Sequence, residues 1–111
     1  MFGLSVQKVE KWGKKGKVKK LLSVLSKSKV KKDVYLAAIR AFEQCEKIDR
    51  DAINVLITIM RNPDKDIKLT TIRTLGNIGD EIAVEHIRRL SKDEDPEIRA
   101  EAEQALKKIA G

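Results

Sequence analysis

The segment DKDIKLTTIRTLGNIGD, Asp64 to Asp80, overlays DPEIRAEAEQALKKIAG, Asp95 to Gly111, at an offset of 31 residues, and KKDVYLAAIRAFEQCEK, Lys31 to Lys47, at an offset of 33. Large apolar residues recur at Val34, Ile67 and Ile98, at Phe42, Leu75 and Leu106, and at Cys45, Ile78 and Ile109. Small residues recur between them, at Ala38, Thr71 and Ala102 and again at Ala41, Thr74 and Ala105. Steps of 3, 4, 7, 8 and 11 put all of these on one face of an α-helix, and the small residues let a partner helix approach closely. Self-similarity at such a period marks a helical repeat array.

A shorter apolar pattern follows each of these stretches: Ala52, Ile53, Leu56, Ile57, Ile59 and Met60 in one unit, Ile82, Val84, Ile87 and Leu90 in the next. Val18, Leu21, Leu22, Val24 and Leu25 form an earlier one. Each unit therefore reads as a helical hairpin whose short helices are stable only when packed together and on their neighbours. Asn62 and Pro63, then Asp95 and Pro96, supply start signals, and Asp64, Asp66 and Glu97 suit the positive end of a helix dipole. Gly76, Gly79 and Asp80 mark the turn inside the third unit. The expected fold is all-α: seven helices, three and a half hairpins and no strand. The units run roughly over 5–28, 31–62, 64–92 and 95–110, the first and last acting as caps within one repeat domain of residues 1–111.

The pattern D-P-x-I-R-x-x-A-x-x-A-L-x-x-I, read from Asp95 to Ile109, resembles the HEAT-repeat family, in particular the short phycobilisome-lyase-like version. The resemblance covers residues 31–111 well and residues 5–28 less so. There Val9 stands in the place of Leu75 and Trp12 in that of Ile78, while Lys8 falls in a slot that is small elsewhere. The resemblance implies an α-solenoid, an α-α superhelix, with a binding or scaffolding role; it specifies fold far better than function. It also brings chromophore attachment to mind, yet the lyase-like proteins are longer arrays and no residue here matches a catalytic position of theirs.

Aliphatic residues at helical spacing can supply the core without disulfides or metal. Glu103 sits where Ile39 and Ile72 sit in earlier units, and Arg88 and Ser91 replace Ile57 and Met60. Polar residues there suit a solvated terminal face; the competing reading is a half-covered last helix that receives a partner or another copy of the chain. A monomer is the expected state. Cys45 is the single cysteine, at an apolar position, and reads as a buried structural thiol. No intrachain disulfide can form, no apolar run is long enough to span a bilayer, and MFGLSV is too short for a signal-peptide core, so the expected location is the cytoplasm.

Charge is divided unevenly. Residues 1–32 carry eleven lysines against one acid, Glu10, whereas residues 33–111 carry 13 basic and 16 acidic residues; the chain totals +7. The lysine-rich segment Lys11–Lys32 could follow an acidic surface, a phosphate backbone or anionic lipid. It could equally be the solvated face of the first hairpin. Against nucleic acid stand the absence of arginine from this segment and the lack of aromatics other than Trp12. Against membrane attachment stands the use of Val18, Leu21, Leu22 and Leu25 by the repeat core.

A second surface comes from the second helices, which line the concave side of HEAT-like solenoids. Lys19, Lys20, Lys27, Arg61, Arg88, Arg89 and Lys92 lie on or just beyond them, and Arg61 and Lys92 coincide in the overlay. The expected binding face is a shallow basic groove built from these seven; the competing reading pairs them with nearby acids such as Glu85. Enzyme chemistry finds little footing: His86 is the only histidine, and Gly13 and Gly16 follow no strand. No catalytic residue, cofactor or metal is expected. The function read from the sequence is a non-enzymatic protein-interaction or scaffold module whose partner carries an acidic surface. The alternative is nucleic-acid binding through the Lys-rich hairpin and the basic second helices.

Overall fold

A computed structural model describes residues 3–111, and among these every regular element is helical. The order is α1 (Val6–Lys14), α2 (Val18–Leu25), α3 (Lys32–Ala41), α4 (Arg50–Ile59), α5 (Lys65–Ile78), α6 (Val84–Leu90) and α7 (Pro96–Ala110). Short 3-10 turns, Phe42–Gln44 and Glu81–Ala83, follow α3 and precede α6. Asp95 and Pro96 start α7 as the sequence implies, whereas α5 is capped by Asp64 rather than by Asn62 or Pro63. The side chains of Ser5, Asp49, Asp64 and Asp95 each accept a backbone N–H of the first turn they cap, and Pro96 occupies the start of α7. Asn62 and Asp93 accept the backbone N–H of Asp64 and Asp95, which folds the approach to α5 and α7 into the same tight turn.

The stop signals differ between units. Gly79 takes a left-handed conformation (φ 79°) and ends α5 with its N–H on the carbonyl of Leu75. The second unit has Glu46 at that place and no glycine nearby, so α3 tightens into the 3-10 turn Phe42–Gln44 and leaves in extended backbone at Cys45. Cys45 is thus buried, as expected, but lies beyond the helix rather than in its last turn.

The first helices α1, α3, α5 and α7 pack side by side in one layer, and the second helices α2, α4 and α6 in the other. The array is elongated, 42 × 27 × 19 Å. Phe42, Leu75, Ile39, Ile72, Leu21, Ile53, Leu56 and Ile87 are fully buried along its length, in a single apolar cluster. Fully burying such side chains contributes about 1.5–3 kcal/mol each before entropy is subtracted. The small positions serve as contacts: Ala41, Thr74 and Ala105 are buried, and Thr74 donates its hydroxyl to Glu43 at 2.9 Å. Thr71 donates to its own helix, at the Ile67 carbonyl.

Ion pairs tie the starts of successive first helices together. Lys32 of α3 reaches Asp64 at 2.9 Å and Asp66 at 2.8 Å, and Lys65 of α5 repeats the contact with Asp95 at 2.9 Å and Glu97 at 2.8 Å. Lys65 stands 33 residues after Lys32, and the two acid pairs stand 31 residues apart. Pro96 holds the corresponding place on α7, so the ladder has no further cation there.

Helix α1 departs from the overlay. Lys8, which the overlay sets in a small slot, is exposed, and Gly13 makes the close contact instead. An added Cβ on Gly13 would lie 2.7 Å from the carbonyl oxygen of Ala41, just as one on Gly76 would lie 2.8 Å from the Cα of Ala105. Matching these two contacts moves α1 by about one helical turn, so Val9 stands with Ile39 and Ile72 rather than with Leu75. All three are fully buried. The first helix therefore docks on α3, in a register that the apolar pattern alone did not give.

Candidate functional site

Three cations of the first-helix layer are paired across repeats, while Lys11, Lys14, Arg40 and Lys107 of the same layer are exposed with no ion-pair partner among the described residues. The ion pairs that join neighbouring repeats all run between first helices: Lys32 and Lys65 as above, and Arg73 of α5, which meets Glu101 of α7 at 2.7 Å. Lys65 and Asp95 respond as expected for close pairing. The ammonium is held above its ordinary pKa by Glu97 and then Asp95, and the Asp95 carboxyl is pulled below its own by Lys65 and then by the Glu97 N–H. Asp64 is lowered likewise, by Lys32 first and the Ile67 N–H second.

On the other layer Lys19, Lys20, Lys27, Arg61, Arg89 and Lys92 are all exposed, and none has an ion-pair partner among the described residues. Arg88 differs, being paired with Glu85 one turn back on α6. It faces the end of the array, where α6 and α7 leave a shallow depression lined also by Leu106 and Ile109. The seven residues therefore do not share one groove. Lys27, Arg61 and Lys92 occupy one structural position, each directly following the C-cap of its helix: Ser26 of α2, Met60 of α4 and Ser91 of α6. A cation there also complements the negative end of the helix dipole, a contribution of about 0.3–1 kcal/mol. The overlay coupled Arg61 with Lys92; the fold adds Lys27 to the row.

Lys20 turns toward α1. Its Nζ lies 5.4 Å from the centre of the Trp12 ring, and that of Lys8 lies 5.7 Å away. Each such contact is worth about 0.5–1 kcal/mol at an exposed site.

Lys19 lines the feature that the sequence reading missed. Between α2 and α4 runs an open groove of about 630 Å³, whose walls include Leu22 and Leu25 on one side and Val55 and Ile59 on the other. Lys19 is its only charged lining residue. Val55 is the only large apolar side chain that is exposed among the described residues, at 37%. The signal was present in VLIT, Val55–Thr58, where Val55 falls off the buried stripe of Ala52, Ile53, Leu56 and Ile57. One exposed valine is ordinary, so only its setting opposite Leu22 gives it meaning.

Other chemistry is thinly represented. Cys45 Sγ lies 3.7 Å from the Gly13 carbonyl oxygen and 3.8 Å from that of Ala41, and burial raises its pKa, which disfavours the thiolate. No group of three His, Cys, Asp or Glu side chains comes together to hold a metal ion among the described residues. No helix among them is long and apolar enough to cross a membrane.

A family model for HEAT repeats matches residues 18–107, which is well over half of the chain. The chain belongs to the HEAT-repeat family. The match begins at the start of α2, so helix α1, whose register departs from the other units, lies outside it. The search of curated proteins finds no match.

Proposed function

We propose that this HEAT-repeat chain is a non-enzymatic protein-interaction module that receives an acidic surface on its second-helix side. HEAT repeats are commonly interaction scaffolds. The observation that carries the finer reading is the repeated cation at the ends of the second helices. Lys27, Arg61 and Lys92 follow the C-caps of α2, α4 and α6. With Lys19, Lys20 and Arg89 they are exposed and have no ion-pair partner among the described residues. Uncompensated like charges repel one another and are relieved by an external anion. Protein is favoured over nucleic acid because Trp12, an aromatic beside the lysine cluster, is half-buried with Lys8 and Lys20 at its ring, which leaves little of it for a base to stack on.

The test is affinity purification of the tagged chain from its source cell, in parallel with the variant Arg61→Glu, Arg89→Glu, Lys92→Glu. Arg88 is left out because Glu85 already engages it. The wild-type chain is expected to retain a partner that the variant loses. Equal recovery by both would sink the proposed face. Saturable binding of a mixed-sequence oligonucleotide, falling steeply with salt, would replace protein by nucleic acid as the partner.

A further inference from the structure

The groove between α2 and α4 combines three properties that point to one class of occupant. Its floor is apolar, from Leu22, Val55 and Ile59. Its hydroxyl groups are already satisfied within their own helices: Ser23 donates to the Lys20 carbonyl at 2.7 Å, Ser26 to that of Ser23 at 2.9 Å and Thr58 to that of Asn54 at 3.0 Å. An apolar side chain can therefore cover these hydroxyls without stranding a donor, while the Asn54 amide in the same lining is left for a polar group of the occupant.

The third property is the charge at the two ends. Helices α2 and α4 run in parallel, since Val18 and Lys19 at the start of α2 lie beside Ile48 and Asp49 at the start of α4. Their C-termini consequently lie together, and Lys27 and Arg61 each follow the C-cap there. The groove thus has Lys19 in its lining and no acid there, and Lys27 and Arg61 follow soon after its end residues Ser26 and Ile59. None of the three has an ion-pair partner among the described residues, although Lys19 also borders Glu46 and Asp49 and Lys27 also lines a separate depression with Leu4 and Val34. From Lys19 to Ser26 the rise is about 10 Å, roughly two turns of helix.

Resting on the reading of an acidic protein partner, we propose that this groove takes a short amphipathic segment of that partner. Two or three of its apolar residues lie on Leu22, Val55 and Ile59, and its carboxylates meet Lys19, Lys27 and Arg61. This is recognition of a helix-sized apolar stripe in a groove, with charge fixing its placement.

The test is selection of random 16-residue peptides displayed on phage against the full chain, followed by fluorescence anisotropy with the enriched sequences made synthetically. Enriched peptides are expected to carry apolar residues at i and i+3 or i+4 with acidic neighbours, and to shift the methyl resonances of Leu22, Val55 and Ile59. Val55→Glu should weaken them at least tenfold, with Val55→Ser as a milder change of the same sign, and Lys27→Glu with Arg61→Glu should do the same. Peptides that bind Val55→Glu and Val55→Ser as tightly as wild type, yet lose affinity to the charge variant, would remove the groove and leave the basic face standing. Failure of any acidic peptide to enrich would remove both. Concentration-dependent self-association abolished by Val55→Glu would assign the groove to a second copy of the chain instead.

Discussion

Gly76 sits inside α5, where alanine would ordinarily favour the helix by about 1 kcal/mol. Its contact reverses that preference, because an added Cβ would lie 2.8 Å from both the Cα and the Cβ of Ala105 on α7. Gly76→Ala is therefore expected to destabilise the fold by about 1–3 kcal/mol in urea denaturation, and Ala105→Gly combined with it should restore part of the loss. A stabilised single variant would contradict the close approach of α5 and α7. Gly76 was legible in the sequence only as part of a turn signal with Gly79. Its role in packing was not, because a glycine chosen for a close neighbour looks the same in one dimension as a glycine chosen for its backbone freedom. Gly13 repeats the lesson: the sequence offered Lys8 as a misfit, and the fold uses the glycine five residues on.

Among the elements, equivalence in the overlay does not mean equivalence in energy. Leu75 of α5 and Leu106 of α7 occupy corresponding places, yet Leu75 is fully buried and Leu106 only half-buried. The difference arises because α5 has α4 and α7 as well as α3 against it, whereas α7 packs mainly on α5 and α6. Leu75→Ala should cost about 2–5 kcal/mol, and Leu106→Ala clearly less, as read from urea midpoints at constant slope. Equal losses would mean that something covers the far side of α7 in solution. Glu103 and Arg88, polar where earlier units have isoleucine, are both exposed.

At the scale of the whole array, the charge ladder links its register to pH. The carboxyl groups of Asp64 and Asp95 are held below their ordinary value of 3.8 by Lys32 and Lys65. The folded chain thus binds fewer protons at these sites than the unfolded chain does. The stabilisation they give is complete above about pH 4 and is lost as pH falls through their folded-state values. Thermal melts are expected to drop between about pH 4 and pH 2, and Asp64→Asn with Asp95→Asn should flatten that drop while lowering stability near neutrality. Because these pairs are open to solvent, the effect should be modest and should shrink in high salt. An unchanged pH profile in the double variant would mean that the ladder contributes nothing to holding the repeats in line.

The order of helices, the start of α7 at Asp95, the buried roles of Phe42, Leu75 and Cys45, and the family itself followed from the sequence alone. They could, because apolar spacing and capping are local properties of a chain, and repetition displays each of them several times. The one-turn shift of α1, the divided fate of the cations and the groove between α2 and α4 came only with the tertiary structure. Each depends on what a side chain meets across a helix–helix contact, and neither distance nor partner is encoded by spacing along the chain.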